Sequence, residues 1–126
     1  MTMPRLIFTL FLLFGCTTFL FDKNFENRVI QTPNFAIAAW VRETNKTDDF
    51  IIYVEGDGHA FDTHGASTND PTPRGNFVRN MAQNDTATNV AYIARPCQFI
   101  NDDRCAQKYW TTGRFSKPVI DAVAYT

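Results

Sequence analysis

The sequence lacks an excess of charge of either sign. Its 126 residues include 12 Lys and Arg against 13 Asp and Glu, which gives a formal net charge of -1. Proteins that bind a phosphate backbone neutralise it with clustered basic side chains, and no such cluster occurs in this chain. Nucleic acid is therefore excluded as an expected partner. The hydrophobic content of 44% is that of an ordinary globular protein.

Several motifs that bind metals or catalyse reactions are also missing. The three cysteines include no Cys-x-x-Cys pair of the kind found in zinc and redox sites. No aspartate stands in the Asp-x-Asp-x-Asp-Gly pattern of calcium loops, so the many aspartates indicate solvated loops. Ser67 is not part of a Gly-x-Ser-x-Gly elbow, because the residue two positions later is Asn69. The sequence predicts no metal, no cofactor and no nucleophilic serine.

The apolar run at the amino terminus is too short to span a bilayer. It covers residues 6–14, follows Arg5 and precedes Gly15 and Cys16. A membrane-spanning helix needs about 20 apolar residues. A basic start, a short apolar stretch and small residues, in this order, are typical of a secretory signal peptide. We therefore expect residues 1–15 to be an export signal.

The end of this signal, Leu13-Phe14-Gly15-Cys16, resembles the lipobox of bacterial lipoproteins, in which cleavage before the cysteine exposes it for lipid attachment. Phe14 departs from the pattern, since a small residue is usual there. The resemblance implies lipidation at Cys16 and attachment to a bacterial membrane of the cell envelope through that lipid. The alternatives are an uncleaved anchor that extends through residues 19–21, or another exported form.

The other two cysteines, Cys97 and Cys105, are separated by seven residues in an otherwise polar stretch. Export brings a protein into an oxidising compartment, where such a pair is favoured to form a disulfide. Closing a loop of this length contributes about 2 to 3 kcal/mol in the chain-entropy description. We expect a Cys97–Cys105 disulfide, and the alternative is two free thiols.

Apolar runs and capping residues predict an alternation of strands and helices. Strands are predicted at residues 35–41, 50–54 and 89–94, a helix at 76–84, and a last helix that begins near Ser116. A polar connector precedes the first strand, and a long broken loop follows the second. A strand, a helix and a strand in succession imply a crossover and a parallel pair. We therefore expect an α/β fold with a partial, mostly parallel sheet.

Four segments between residues 50 and 125, IIYVEGDGHAFD, DPTPRGN, NVAYIARPCQF and YWTTGRFS, resemble in their order the N-terminal half of a group of bacterial exported α/β-hydrolases of the esterase and lipase type. Together with the signal peptide and the lipobox, the resemblance predicts three regions: a signal peptide at 1–15, a lipidated connector at 16–34, and at 35–126 the N-terminal portion of a hydrolase-like domain. Its sheet would be of the α/β-hydrolase type, truncated before the nucleophile elbow, so that the strand at 89–94 has an unpaired edge where the nucleophile strand would lie.

The turn Gly56-Asp57-Gly58 takes the place of the oxyanion-hole turn in that family. The resemblance makes the backbone N–H groups of Asp57 and Gly58 the candidate donors, because glycine lets a backbone approach a developing oxyanion closely. The alternative is a tight turn that needs glycine only for its conformation. Arg95, Pro96 and Tyr109-Trp110 either line an acyl pocket or pack under the cysteine loop.

In α/β-hydrolases, the serine, the acid and the histidine follow this region, so His59 and His64 are expected to be loop residues. The resemblance then implies a truncated hydrolase-like lipoprotein without catalytic activity by itself. Two alternatives stay open. In the first, the chain is a small lipid-anchored surface protein that binds or interacts with a partner. In the second, it is part of a split exported esterase that a second fragment completes.

Overall fold

A computed structural model describes residues 21–22 and 24–126 of the chain. The predicted signal peptide at 1–15 and the predicted lipidation site Cys16 lie outside these residues. The described part contains four strands, two α-helices and one short 3-10 helix. In chain order these are β1 (Glu26–Gln31), β2 (Ala36–Glu43), β3 (Phe50–Val54), α1 (Phe77–Asn84), β4 (Asn89–Ile93), the 3-10 helix (Gln107–Tyr109) and α2 (Lys117–Tyr125).

The elements predicted from apolar runs are confirmed, with bounds that differ by at most two residues. β3 has the predicted bounds, because its β-branched and aromatic stretch stops at a turn that contains two glycines. α1 begins after Asn76 and ends at Asn84, as its helical spacing of apolar side chains predicts. Pro118 lies in the first turn of α2, where its missing N–H costs no helical hydrogen bond.

The sheet is mixed, and the predicted fold class is wrong. The strand order is β1-β2-β4-β3, and only β3 and β4 are parallel. β2 runs antiparallel to both of its neighbours, β1 and β4. The strand-helix-strand argument applies to β3, α1 and β4, but it accounts for one of the three pairings. The described chain is a small, mostly antiparallel sheet with two helices, and not a mostly parallel sheet of the α/β-hydrolase type.

Part of this error comes from β1, an antiparallel strand that the sequence does not indicate. Its side chains are mostly polar and exposed, so it resembles a connector, although an edge strand in contact with water has the same composition. A tight turn then joins β1 to β2. The hydroxyl of Thr32 donates to the carbonyl of Phe35 at 2.9 Å and accepts from the N–H of Phe35 at 3.0 Å. Two strands joined by a tight turn must be antiparallel, and this turn therefore sets the direction of β2.

β4 is a central strand, and the expectation of an unpaired edge at residues 89–94 is also wrong. All five residues of β4 are buried, and β4 pairs with β2 on one side and β3 on the other. The buried amide of Asn89 fixes the start of the strand, since its Nδ2 donates to the carbonyls of Asn45 at 2.6 Å and Asp48 at 2.8 Å. Among the described strands, β3 is the one at this end of the sheet, and its edge away from β4 is unpaired.

One face of the sheet carries mainly aliphatic side chains, and we call it the aliphatic face. Ile37 and Ala39 of β2 and Ile93 of β4 belong to the same buried cluster as Val119 and Ala122 of α2. The apolar stripe of α2 predicted from its sequence is thus the side of the helix that packs on the sheet.

The opposite face is built from rings, and we call it the aromatic face. The ring of Trp40 in β2 stacks on Phe21 at a centroid distance of 5.2 Å and meets Tyr92 of β4 edge-on at 5.7 Å. Phe99, from the loop after β4, also contacts Trp40 edge-on, at 5.0 Å. Ala82 of α1 is fully buried in this cluster. Side chains that alternate along β2 and β4 therefore fill two separate layers.

The predicted disulfide between Cys97 and Cys105 is confirmed. The two Sγ atoms are at bonding distance and the Cα atoms are 5.7 Å apart, within the usual range for a disulfide. Cys97 is buried in the cluster of the aliphatic face, whereas Cys105 packs against its margin. The disulfide thus attaches the polar loop after β4 to the core of the domain.

Candidate functional site

The candidate site is the turn Gly56-Asp57-Gly58, which directly follows β3. It lies at the carboxyl end of the parallel pair β3–β4, the position at which sites form in open sheets with parallel strands. Gly58 has a φ of +62°, and a Cβ atom at this position would lie 2.2 Å from the carbonyl oxygen of Pro71. A Cβ atom on Gly56 would meet nothing within 4 Å. Conformation and packing therefore require glycine at position 58 but not at position 56.

A buried glutamine holds this turn in place. The Nε2 of Gln98 donates to the carbonyl of Gly56 at 2.9 Å, and its Oε1 accepts from the N–H of Arg95 at 3.0 Å. Gln98 therefore joins the turn after β3 to the turn after β4. The sequence does not point to it, because a glutamine in a polar stretch indicates a solvated loop. The one available signal is its neighbour Cys97, whose disulfide attaches this stretch to the core.

The carboxylate of Asp57 pairs with two arginines. Its Oδ1 lies 2.5 Å from Nη1 of Arg95, and its Oδ2 lies 3.4 Å from Nε of Arg114. The Nε of Arg114 is buried and makes no hydrogen bond to any described residue, so this second contact is an ion pair without hydrogen-bond geometry. Both guanidinium groups also lie over the ring of Phe115, at 5.4 and 5.0 Å. The side chain of Asp57 thus connects three loops.

The backbone N–H groups of Asp57 and Gly58 meet no acceptor in the part of the chain that the structure describes. Two adjacent N–H groups without acceptors are what an oxyanion hole offers to a substrate. The side chains around the neighbouring cavity include no serine, cysteine or histidine. The oxyanion role of this turn therefore stays a prediction, whereas the structural need for Gly58 is a finding.

Arg95, Pro96, Tyr109 and Trp110 are the residues expected to line an acyl pocket or to pack under the cysteine loop. The four residues do lie together, and they leave no pocket of that size between them. The cavity between them has a volume of about 10 Å³, which is room for one water molecule and not for an acyl chain. Trp110 is buried and donates its indole N–H to the carbonyl of Thr68 at 3.0 Å. The lining residues are Asp57, Arg95, Pro96, Gln98, Tyr109 and Trp110.

The two histidines and Ser67 lie in the loop between β3 and α1. Ser67 pairs with Phe61 in an isolated antiparallel bridge. Asp62 stabilises the tip between them, since its Oδ1 accepts from the backbone N–H of His64 at 2.8 Å and of Ala66 at 2.9 Å. No hydrogen bond joins Ser67 to a histidine among the described residues. The loop that carries Ser67 and the two histidines thus lacks the nucleophile-base contact of a hydrolase among the described residues.

Two tyrosines in the sheet donate hydrogen bonds to carboxylates, and the sequence gives no sign of either pair. The hydroxyl of Tyr92 donates to Oε2 of Glu55 at 2.6 Å; burial and then this bond raise the pKa of Tyr92. The hydroxyl of Tyr53 donates to Oδ2 of Asp85 at 2.6 Å, which raises the pKa of Tyr53 and lowers that of Asp85. Both phenols therefore stay protonated at neutral pH and support the ends of β3 and α1.

The largest exposed apolar feature of the sheet is β3 itself. Phe50 is 37% exposed, Ile51 46%, Ile52 56% and Val54 45%. On the aliphatic face, a groove of about 260 Å³ adjoins the strand. Its lining residues are Arg28, Ile30, Val41, Phe50, Ile52, Ala91, Ile93 and Thr126. An apolar run in a sequence does not distinguish a central strand from an edge strand, so this surface could not be predicted.

The described residues contain no group of three or more His, Cys, Asp or Glu side chains placed to bind a metal ion. Within residues 21–22 and 24–126, no helix is both long and apolar enough to cross a bilayer. The predicted lipid anchor lies outside this range.

Comparison with known proteins finds no family model, no curated protein and no solved structure that matches this chain. The resemblance to the exported α/β-hydrolases therefore rests on the four segments of the sequence alone.

Proposed function

We propose that this chain is a lipid-anchored protein of the cell envelope that binds another polypeptide along β3 and does not hydrolyse esters by itself. The observation that carries the proposal is the open edge of β3, where four of five side chains are apolar and exposed. An exposed apolar edge of this kind recruits a further strand or aggregates unless it is covered. Strand addition is a common way for a sheet to bind an extended peptide.

The backbone of β3 offers regular hydrogen-bonding groups along this edge. The N–H of Glu55 donates to the carbonyl of Ile93 in β4 at 2.9 Å. Because the backbone groups of successive residues point to opposite sides of a strand, those of Phe50, Ile52 and Val54 point away from β4. Three N–H and three C=O groups thus lie along the open edge, in the spacing that a partner strand requires.

The opposite edge of the sheet, β1, does not share these properties. Its exposed side chains are mostly polar, and Arg28 forms ion pairs with Glu26 at 2.8 Å and with Glu43 at 3.7 Å. Charged side chains on an edge strand oppose the addition of another strand. The sheet is therefore asymmetric, with one edge protected by charge and one edge open.

A second candidate function is one part of a split exported esterase. The N–H groups of Asp57 and Gly58 favour it, because they lie next to the open edge and meet no acceptor among the described residues. A second fragment that paired with β3 would bring its own nucleophile close to that turn. In this case the partner would carry a Gly-x-Ser-x-Gly elbow and a late histidine.

Photo-crosslinking in the cell tests the proposal. A photo-reactive amino acid at position 52 should yield a defined crosslinked product, because the side chain of Ile52 lies on the open edge. The matched control is position 29 on β1, since Val29 has a similar exposure, 53% against 56% for Ile52. We expect crosslinking at position 52 and none at position 29. Equal products at both positions, or none at either, would contradict the binding function.

Metabolic labelling with a palmitate analogue tests the anchor. The wild-type chain should incorporate the label, and Cys16→Ser should not, because the lipid is attached to the thiol of the first mature residue. Cys105→Ser is the matched control, since Cys105 forms the disulfide with Cys97 and should leave lipid incorporation unchanged. Equal labelling of the wild type and Cys16→Ser would show that the lipoprotein interpretation is wrong.

A further inference from the structure

We propose that the partner strand at β3 is a segment of a different protein, with about five apolar residues and basic residues at both ends. This inference rests on the proposed function and specifies the partner. The charges at the two ends of β3 carry it. Asp49 precedes the strand and Glu55 follows it, and both lie on the same side as Ile51 and Tyr53, because side chains alternate along a strand.

Asp49 is exposed. Glu55 is partly buried, and its carboxylate accepts from the hydroxyl of Tyr92 and from the backbone N–H of Gly56. Asp48 adds a second carboxylate before the strand. The nearest basic residue in the sequence is Lys46, so this end of β3 has one basic and two acidic side chains. The open edge is therefore apolar in the middle and acidic at both ends.

This charge pattern opposes pairing with a second copy of the chain. In an antiparallel pair centred on Ile52, Asp49 of each copy would stand opposite Glu55 of the other. In a parallel pair, each acidic residue would stand beside its own counterpart. Like charges directly opposite each other destabilise a strand pair. Shifting the register to avoid this would place Asp49 against apolar side chains or leave part of the strand unpaired. A partner strand with basic residues at both ends would place opposite charges beside Asp49 and Glu55, whether it pairs parallel or antiparallel to β3.

The groove on the aliphatic face adds a requirement for apolar side chains on one side of the partner strand. Phe50 and Ile52 form one wall of this groove, which has a volume of about 260 Å³. The floor is formed by Val41, Ala91 and Ile93, which are buried residues of the neighbouring strands. A partner strand on the open edge would lie on the other side of Phe50 and Ile52, so its side chains on this face would extend the apolar wall of the groove. The partner is thus an alternating strand whose side chains on the aliphatic face are apolar.

The test uses the full chain in lipid nanodiscs and three synthetic peptides with the same alternating Val and Phe core. The first has two lysines at each end, the second has two glutamates at each end, and the third has lysine ends and a central proline. We expect the lysine peptide to bind about tenfold more tightly than the glutamate peptide at low salt, with a smaller ratio at high salt. The proline peptide should bind weakly, because it lacks a ladder N–H.

Asp49→Lys should abolish the preference for the lysine peptide, whereas Asp103→Lys, at another exposed carboxylate in the disulfide loop, should preserve it. Amide hydrogen exchange should show that peptide binding protects the N–H groups of Ile52 and Val54 and leaves that of Val29 unchanged. Equal binding of the lysine and glutamate peptides, no binding of either, or protection on β1 instead of β3 would overturn the inference.

Crosslinking at position 52 in the cell separates the two levels of the proposal. A product there, combined with no preference for basic peptide ends, would leave the binding function intact and refute only the partner chemistry. A product of twice the mass of the chain would identify a second copy as the partner and would also overturn the inference. No product at all would refute the binding function itself.

Discussion

Gly58→Ala should lower the free energy of unfolding by about 3 kcal/mol or more. Two causes act together. The φ of +62° is strained for a residue with a Cβ atom, and that atom would lie 2.2 Å from the carbonyl oxygen of Pro71 and 2.6 Å from Nε2 of Gln98. The turn must shift, and the bond from Gln98 to Gly56 would be distorted. Urea unfolding followed by circular dichroism measures the loss.

Gly56→Ala is the matched control for this prediction. A Cβ atom there meets nothing within 4 Å, so we expect a change of less than about 1 kcal/mol. Together, the two variants separate the structural need for glycine from any role in an oxyanion hole. Equal and small effects at both positions would show that Pro71 and Gln98 do not constrain the turn.

Removing the disulfide with Cys97→Ala and Cys105→Ala should cost about 2 to 3 kcal/mol of stability, the amount expected for closing a short loop. The loop also carries Gln98, which holds the candidate turn, and Phe99, which packs on Trp40. Both layers of the sheet should therefore loosen next to the site. Thermal unfolding of the variant and the wild type measures the difference.

Reduction of the wild type with dithiothreitol is the control for the disulfide prediction. It should lower the unfolding temperature to nearly that of the double variant, and the double variant should not respond to the reductant. An unchanged unfolding temperature of the reduced wild type would indicate that the loop does not depend on the bond between Cys97 and Cys105.

The order of pairing within the sheet was the part of the fold that could not be derived from apolar runs. β3 and β4 are predicted to within one residue, because both have continuous β-branched or aromatic stretches that stop at turn residues. β1 is polar, since it needs only one neighbour and faces water, so nothing distinguishes it from a connector. Its tight turn to β2 reverses the chain and adds an antiparallel pair to the sheet. Hydrophobic pattern thus identifies strands better than it identifies their neighbours.

For the site, sequence reasoning identified the turn and the disulfide but not the contacts that hold them. The turn is visible because glycines follow an apolar strand, and the disulfide because export and spacing favour it. The hydrogen bond from Gln98 to Gly56 and the one from Tyr92 to Glu55 join residues that are 37 or more positions apart in the chain. Such long-range contacts leave no local pattern. The exposed edge of β3 has the same cause, because exposure depends on which strands lie beside it.

The two tryptophans of the chain lie in different layers of the domain. Trp40 belongs to the aromatic face, and Trp110 belongs to the cluster of the aliphatic face. Indole fluorescence responds to local water and to neighbouring rings, so each tryptophan reports on its own side of the sheet. A chain with Trp110 replaced by phenylalanine would report on the aromatic layer alone, and one with Trp40 replaced would report on the contact between α2 and the sheet. The domain thus contains two native optical probes, which can distinguish whether its two layers separate from the sheet together or in sequence.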